Sequence, residues 1–466
     1  MKKKLSIAGA AVLVLASLTV LVVGPWPAYS ARDITQAAFY QRNVGAIQAS
    51  ADRSVLQGPP LPLEAGWAKQ PMTPPLGTPL AGYGNRKGEP STGVHDELFV
   101  KALVLSDGNN RVVIVASDML IVPPNLAGMV RERVADRTGI AADDILFNAS
   151  HTHSGPGGWA PGFAGKQFSG GYDESVLEFL AQQFTEAIVE ANANVTSGAA
   201  LGTGSVEVDT YIRNRAREGA TDSSLDFMVI EKHDGSLCYL VRYSAHSTVL
   251  GASNMEFSGD YPGYLERAIE RETGGFAMFL AGAMGSMGVR SPGDERGFER
   301  AEAIGESLAR HVLDNVMHVD LEDRVAIASV GVPLELPSFQ LRLHRSWRLS
   351  PHVFGILGID SDGWLHCVRI GDTYLVGMPA DFSGEISVRM REWAAVQGLD
   401  LWVLSFNGDY IGYISPDAYY ETAQKQGTEG YEMYVMSWVG PDQEKFFVTL
   451  AEEAIESLRR NAGTGS

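Results

Sequence analysis

The sequence contains few cysteines and, after its first four residues, no run of cations. Only two of its 466 residues are cysteine, Cys238 and Cys367, and each lies in an apolar stretch typical of a β-strand. They could pair, but inert buried thiols are the favoured interpretation. Phosphate-backbone binding depends on clustered cations. With 37 Lys+Arg against 56 Asp+Glu and a formal charge of -19, nucleic acid is therefore not an expected partner.

A long apolar run occurs only once, near the N-terminus. Three lysines precede twenty mostly apolar, uncharged residues at 5–24, and two prolines follow. Such a segment is typical of an export signal or of a membrane anchor. At about 1.5 Å per residue it is long enough to span a bilayer, whereas the "AYSA" that follows permits cleavage. Either alternative predicts an exported protein, membrane-anchored or secreted, with the lysines left inside.

No low-complexity linker and no internal repeat of sequence divides the rest of the chain. We assign residues 1–30 to the leader. Residues 31–63 are polar or proline-rich and weakly periodic, which predicts a stalk or an arm over the body. From residue 64 onward apolar runs and amphipathic stretches alternate, and 45% of the chain is hydrophobic. This pattern predicts one large catalytic domain over residues 64–466.

The alternation of strands and helices predicts an α/β fold with a mixed sheet flanked by helices. The predicted strands lie at 98–105, 111–117, 145–150, 226–232, 238–245, 276–281, 365–370, 374–378 and 401–406. The predicted amphipathic helices lie near 125–137, 174–194, 262–272, 297–317, 384–397 and 441–460. Two tight turns, "HDGS" and "GDT", require antiparallel neighbours, so the sheet is expected to be mixed.

Polar side chains follow several of the predicted strands. His151 and His153 come after 145–150, and His246 comes after 238–245. The segments "AGAMGSMGVRSPG", "MPADFSGE" and "NGDYIGY" follow three further strands. Because ligands bind in the loops at the carboxyl ends of strands in α/β sheets, these loops are expected to form one site.

The two histidines one residue apart suggest a metal site. Zinc accepts imidazole nitrogen and carboxylate oxygen and leaves a position open for water. Residues at i and i+2 of an extended segment share a face, so His151 and His153 could reach one centre. The pair alone is equally compatible with exposed or core histidines. Metallo-β-lactamase-like hydrolases add an acid and a third histidine, but Ser154, Gly155 and Pro156 follow here. Amidohydrolase barrels place His-x-His early, on a first strand.

The longer string "SHTHSGPGG" resembles the signature of the neutral, non-lysosomal ceramidases. The resemblance continues in the family's order through "LAGYGN", "GVHDELFVKALVL", "YIRNRA", "YSAHSTVLGASNMEFSGDYPGY", "GMPADFS", "NGDYIGYI" and "YEMYVMSWVGP", over roughly residues 65–460. It implies a zinc-dependent amidase that cleaves the N-acyl bond of ceramide or a ceramide-like lipid. The products would be a fatty acid and a sphingoid base or other amine. A lipid substrate at a membrane surface is the implied partner.

The resemblance also implies roles for individual residues. The ligands that it implies for one zinc ion per chain are His151, His246, Asp381 and Tyr413. His153 would orient the site or touch the substrate, Arg215 would bind near the reacting group, and Ser291 would be the nucleophile or a substrate-binding hydroxyl.

Two departures from the family pattern leave alternatives open. Asp381 stands where the family has glutamate, so the backbone must approach the metal more closely or another acid, such as Glu385, must serve. Ser291 matches the family's Ser-Pro only with a short insertion; otherwise Gly288 takes that place and Ser286 stands where the family has aspartate. Without a serine, a zinc-activated water can attack, with a nearby carboxylate as base.

Other functions are compatible with the same residues. A different exported metal hydrolase would act on another amide, an ester or a phosphoester. A catalytically degenerate lipid-binding protein is the other alternative, which the altered serine segment favours. The chain ends soon after the last motif, so the C-terminal immunoglobulin-like domain of the family is not expected.

Overall fold

The computed structural model describes residues 2–29, 33–54, 56, 59–344, 346–353, 362–420, 430–440 and 442–463. The predicted boundary between leader and arm, at residues 30 and 31, lies outside the described residues. The helices are α1 (Lys2–Val22), α2 (Ala38–Ala51), α3 (Pro124–Thr138), α4 (Gly162–Ser169), α5 (Glu174–Ala193), α6 (Asp260–Thr273), α7 (Gly297–Val316), α8 (Gly384–Val396) and α9 (Gln443–Gly463). Short 3-10 turns cover Ile34–Gln36, Gly84–Arg86, Ala142–Asp144 and Tyr431–Met433.

The strands form two principal mixed sheets and several short pairs. The strands are β1 (Trp26–Pro27), β2 (Leu63–Pro71), β3 (Gly93–Val94), β4 (Phe99–Ser106), β5 (Arg111–Ser117), β6 (Ile145–Ala149), β7 (Thr196–Glu207), β8 (Ile212–Asn214), β9 (Ser224–Glu231), β10 (Leu237–Tyr243), β11 (Glu256–Phe257), β12 (Phe276–Ala281), β13 (Met287–Val289), β14 (Ile327–Glu335), β15 (Arg342–His344), β16 (Trp347–Arg348), β17 (Asp362–Ile370), β18 (Thr373–Gly377), β19 (Asp381–Phe382), β20 (Asp400–Leu404) and β21 (Tyr413–Ile414). The larger sheet has the order β12-β10-β9-β7-β2-β4-β5-β6, and the smaller has the order β14-β17-β18-β20. The predicted mixed α/β fold is confirmed.

The two sheets contain one arrangement three times. In each unit the first three strands pair antiparallel, and a helix then leads to a fourth strand that pairs parallel with the third. The three units are β2-β4-β5-α3-β6, β7-β9-β10-α6-β12 and β14-β17-β18-α8-β20. Sequence comparison within the chain gives no sign of this repeat, because it lies in the strand topology rather than in residue identities.

This topology brings six loops to one place. Parallel strands joined by a helix end at the same edge of a sheet, so the loops after the third and fourth strands of each unit are neighbours. Asn148 on β6 then joins the three units. Its side-chain amide donates to the carbonyl oxygens of Ala281 (3.2 Å) and Ser405 (2.9 Å), and its oxygen accepts from the Ala281 N–H at 2.7 Å. The carboxyl ends of β6, β12 and β20 therefore meet.

A shared apolar core holds the three units together. Leu103 and Leu146 from the first unit, Leu280 from the second, and Leu375 and Trp402 from the third are all fully buried in one cluster. Helices α3, α5, α6 and α7 cover the larger sheet, while α2, α8 and α9 cover the smaller one. Burial of apolar side chains on both faces of each sheet supplies the main stabilisation of such a layered fold.

Residues 31–63, predicted as a stalk or an arm, include the helix α2. Its buried residues Tyr40, Ile47 and Ala51 join the apolar core of the smaller sheet, beside β14 and α9. The Asn43 side chain donates to the Glu335 carbonyl oxygen (2.9 Å) at the end of β14. This stretch therefore lies over the smaller sheet.

The two cysteines lie on strands of different sheets, β10 and β17, and both are free and buried. The prediction of inert buried thiols is confirmed, and burial raises the pKa of both Cys238 and Cys367, which keeps them protonated. In the part of the chain that the structure describes, no helix combines the length and apolar character needed to cross a membrane.

Candidate metal centre

His151 lies where the three units meet, as the second residue after β6. Its backbone φ is +61°, a left-handed conformation that residues other than glycine rarely adopt, and its ring stacks on that of Phe406 at 4.1 Å. The Nδ1 atom lies 2.7 Å from the Leu120 carbonyl oxygen. Because a carbonyl oxygen only accepts, Nδ1 carries the proton, and Nε2 keeps its lone pair.

His246 and His153 direct their rings at the same point. His246 follows β10, and its Nδ1 lies 3.4 Å from the Met284 carbonyl oxygen, which favours the same tautomer as in His151. His246 Nε2 is 3.0 Å from His151 Nε2, and His153 Nε2 is 3.4 Å from it. These three residues, the histidine cluster, each offer a nitrogen, and the three nitrogens lie within 4.8 Å of one another.

The histidine cluster fits a metal ion. Burial lowers the pKa of His151 to about 3 and the pKa values of His153 and His246 well below their usual value, so the three rings are neutral. Neutral rings with facing lone pairs repel each other unless a cation lies between them. Two nitrogens at zinc-ligand distance in a tetrahedral site lie about 3.3 Å apart, close to the distances of 3.0 and 3.4 Å found here.

Asp381 adds a carboxylate beside the cluster. It is 1% exposed and lies on β19, which pairs with β21 so that Asp381 is opposite Tyr413. Its Oδ2 accepts a hydrogen bond from Tyr410 (2.7 Å), whereas its Oδ1 has no hydrogen-bond partner among the described residues and lies 3.7 Å from His151 Nε2. A buried carboxylate oxygen without a partner is costly, and a cation held by the histidines would satisfy it. Burial raises the pKa of Asp381 to about 7.

Arg215 brings a positive charge to the same site. Its Nη2 donates to the Tyr413 hydroxyl oxygen (3.0 Å) and to the Gly285 carbonyl oxygen (3.0 Å). Its Nε lies 3.7 Å from an oxygen of Glu432, a buried acid that the sequence analysis missed because it follows no predicted strand. Burial raises the pKa of Glu432 to about 7, against the opposing effect of Arg215. The positive charge of the Arg215 guanidinium also lowers the pKa of each of the three histidines in the cluster.

The structure brings together all but one of the residues predicted for the site. The residues that line a single cavity of about 730 Å³ include His151, His153, Arg215, His246, Asp381 and Tyr413. His153, predicted to orient the site or to touch the substrate, has its Nε2 in the histidine cluster and so can also serve as a ligand.

Ser291 is not among the residues that line this cavity. It lies two residues beyond β13 and is partly exposed, so the structure does not bring it to the histidines. Ser286 is buried but is bonded elsewhere, 3.0 Å from the Ser383 hydroxyl and 3.1 Å from the Gly384 N–H. Glu385, the alternative acid, accepts a hydrogen bond from Tyr419 and does not line the cavity either.

Away from the histidines most of the cavity wall is apolar. The aliphatic and aromatic residues that line it include Leu120, Ile121, Phe163, Phe168, Leu341, Val435, Met436 and Trp438. Phe163 and Val435 are largely exposed, 66% and 56%, so part of the apolar wall is open to solvent. A cavity with one polar end and apolar walls suits a ligand that combines a polar group with a hydrocarbon chain.

Fold and site together define a mixed α/β protein with a buried histidine centre, able to hold a metal, at one end of an apolar cavity. Residues 64–294 match the family described as neutral/alkaline non-lysosomal ceramidase, N-terminal. The resemblance predicted from the motifs is thus confirmed over this part of the chain.

Two curated relatives illustrate the extent of the similarity. A neutral ceramidase of Drosophila melanogaster is 27% identical over 223 residues, which cover 43% of this chain and 30% of that protein. A neutral ceramidase of Mycobacterium tuberculosis (strain ATCC 25618 / H37Rv) is 24% identical over 237 residues, 46% of this chain and 37% of that protein. The match thus spans about a third of the length of these relatives.

Solved structures share the fold. The crystal structure of neutral ceramidase from Pseudomonas aeruginosa superimposes with a TM-score of 0.72 and 19% identity, covering 86% of this chain and 75% of that chain. A ceramidase complexed with C2 gives a TM-score of 0.73 and 17% identity, covering 86% of this chain and 76% of that chain. The similarity of fold therefore extends well beyond the residues matched by the family.

Proposed function

We propose that this protein hydrolyses the N-acyl amide bond of ceramide or a ceramide-like lipid, releasing a fatty acid and a sphingoid base or another amine. The observation that carries the proposal is the histidine cluster with the unpartnered Asp381 oxygen, at the polar end of an apolar cavity of about 730 Å³. Relatives named as neutral ceramidases support the choice of substrate.

The metal that we propose is zinc, one ion per chain. Imidazole nitrogen with carboxylate or phenol oxygen is a donor set that suits zinc, and three neutral histidines leave room for a fourth ligand. His151, His153 and His246 would hold the ion, with Asp381 or Tyr413 completing the site. When bound, zinc supplies a Lewis acid that polarises the amide carbonyl and lowers the pKa of water to about 7.

The chain's own residues supply the proton transfer and the charge stabilisation. Asp381 lies beside the histidine cluster, with its Oδ1 3.7 Å from His151 Nε2, and is placed to take a proton from the attacking water. Arg215 and Tyr413, whose Nη2 and hydroxyl oxygen lie 3.0 Å apart, can donate hydrogen bonds to the oxyanion that develops on the amide. With Ser291 outside the cavity, attack by water is the route that the arrangement favours.

Export is the second part of the proposal. The apolar run at residues 5–24 with its three preceding lysines supports a catalytic domain outside the cytoplasm, membrane-anchored or secreted. Cell fractionation combined with N-terminal sequencing of the mature protein separates the two forms. Full-length protein recovered only from the cytoplasm would contradict export.

Metal content and lipid hydrolysis, measured on the same preparations, test the proposed activity. The substrates are N-acyl sphingosines of several chain lengths, with an ester and a phosphoester for comparison. We expect one zinc per chain and amide hydrolysis in the wild type. His151→Ala should lose both metal and activity, whereas Ser291→Ala should keep both. Full activity in His151→Ala would overturn the zinc site, and loss of activity in a zinc-loaded Ser291→Ala would overturn attack by water.

The position of Ser291 also supports a second candidate function, lipid binding without turnover. A chain that binds zinc and N-acyl sphingosine but releases no fatty acid would be such a protein. Two metal ions per chain with phosphoester cleavage would instead indicate a different metal hydrolase.

A further inference from the structure

A buried arginine lies directly behind the histidine cluster. Arg86 is 5% exposed, and its guanidinium donates to the backbone carbonyl oxygens of Ala81 (3.0 Å), His153 (2.5 Å), Gly251 (3.4 Å) and Ala252 (3.2 Å). Among the described residues no carboxylate lies within ion-pair distance of it. Buried charges are normally paired with an opposite charge, so a cation that faces only carbonyl groups and the Tyr83 ring (4.9 Å) calls for an explanation.

The bonds of Arg86 join three segments around His153. They link its own segment, 81–86, to the histidine string after β6 and to the loop that follows His246. Tyr83 reinforces the same contacts, because its hydroxyl donates to the Leu250 carbonyl oxygen (3.3 Å) and its ring lies 4.6 Å from the ring of His153. Gly82, at φ +105°, leaves no space behind that ring, since a Cβ there would lie 2.5 Å from His153 Nδ1.

His153 has no orienting hydrogen bond of its own. In His151 and His246 a carbonyl oxygen faces Nδ1, the usual way in which a metal-binding histidine is held. The Nδ1 atom of His153 is buried and has no hydrogen-bond partner in the part of the chain that the structure describes. The orientation of its ring therefore depends on packing against Gly82 and Tyr83, and on the position of its own backbone.

We propose that Arg86 is a positioning residue for His153: by binding the His153 carbonyl oxygen and the two neighbouring segments, it holds the third imidazole of the histidine cluster at the metal. The inference rests on the proposed metal centre but not on the proposed substrate. It assigns a role to "GYGNR", a segment that the reaction itself does not use.

Cobalt(II) binding to the metal-free full-length chain, followed by visible absorption, tests this role without any substrate. Residues that orient metal ligands typically contribute about 10- to 100-fold to metal affinity, so Arg86→Met should weaken cobalt binding by about that factor. It should also change the absorption spectrum, because one nitrogen ligand is lost. The matched control is Arg348→Met, since Arg348 is also 5% exposed and also donates to backbone carbonyl oxygens. The control should bind cobalt like the wild type.

A double-mutant cycle separates positioning of His153 from general support of the fold. In a His153→Ala background, Arg86→Met should cause no further loss of cobalt affinity. Equal losses in both backgrounds would overturn the proposal, as would wild-type affinity in Arg86→Met. If Arg86→Met does not fold, Arg86→Lys decides, because a lysine keeps the charge but cannot donate to all four carbonyl oxygens at once. It should weaken cobalt binding in the wild type but not in His153→Ala, and unchanged affinity in both would overturn the proposal. A wild-type chain that binds no cobalt would instead refute the metal centre.

Discussion

Replacing Asp381 with asparagine should stabilise the metal-free protein, and bound zinc should remove most or all of that gain. In the metal-free chain Asp381 Oδ1 is buried without a hydrogen-bond partner, 3.7 Å from the lone pair of His151 Nε2. An asparagine amide there can donate N–H to Nε2, while its oxygen still accepts from Tyr410. Leaving a buried polar atom unsatisfied costs about 1–3 kcal/mol, so Asp381→Asn should stabilise the metal-free protein by about that amount.

With zinc bound, the difference in stability between Asp381→Asn and the wild type should become smaller or vanish. Loss of a carboxylate that binds or orients the metal weakens affinity by about 10- to 100-fold. At a fixed zinc concentration well above Kd, this removes about 1.4–2.7 kcal/mol of the stability that binding confers. The assay is thermal unfolding of both proteins in chelator and in buffered free zinc. The control is Glu335→Gln, at an exposed ion pair with Arg42. Its difference in stability from the wild type should be the same in chelator and in zinc. An equal difference in stability between Asp381→Asn and the wild type in chelator and in zinc would contradict a role of Asp381 at the metal.

Three further predictions concern the core, the pH dependence and the reaction. Arg242 is fully buried and donates to the Asp222 carboxylate, so Arg242→Met leaves a buried negative charge less well compensated. The free energy of unfolding, measured in urea, should fall by about 3–5 kcal/mol. A loss below about 1 kcal/mol would contradict this prediction. Burial raises the pKa of Asp260 to about 6. Between about pH 4 and pH 6 the unfolded chain therefore loses the Asp260 carboxyl proton while the folded chain keeps it. As a result, the free energy of unfolding falls as the pH rises through this range. Asp260→Asn should therefore gain about 3 kcal/mol relative to wild type between pH 4 and pH 7, and a constant difference would argue against this shift. Arg215→Met should lower kcat about 10²- to 10³-fold on an N-acyl sphingosine with metal content unchanged, and an unchanged kcat would exclude Arg215 as an oxyanion donor.

The parts of the fold that the sequence predicted are those with strong local patterns. Strands β5, β10 and β12 are runs of buried aliphatic and aromatic residues, and their predicted bounds agree with the structure to within two residues. Strand β7 was missed because its sequence, TSGAALGTGSVE, is rich in glycine and small residues. It is extended because it pairs with β2 and β9 on either side. Such long-range pairing is not encoded in local propensity.

The residues of the candidate site also fall into those that local sequence patterns predict and those that depend on long-range contacts. The histidine string and the loops after the strands could be found from the sequence, and the structure brings His151, His246 and Asp381 together from the three repeated units. Glu432 and Arg86 were missed, because their importance lies in contacts with residues more than 60 positions away in the chain. Ser291 was placed by matching a motif across an insertion, and sequence alone could not show that the segment beyond β13 leads away from the cavity.

The most direct test of the account is zinc titration of the chelator-treated full-length chain, with fatty acid release from an N-acyl sphingosine as the readout. A single zinc at the histidine cluster predicts no release without metal and a rise in rate that saturates at one zinc per chain. Undiminished release by the metal-free protein, or saturation only at two ions per chain, would contradict a single-zinc centre at the histidine cluster.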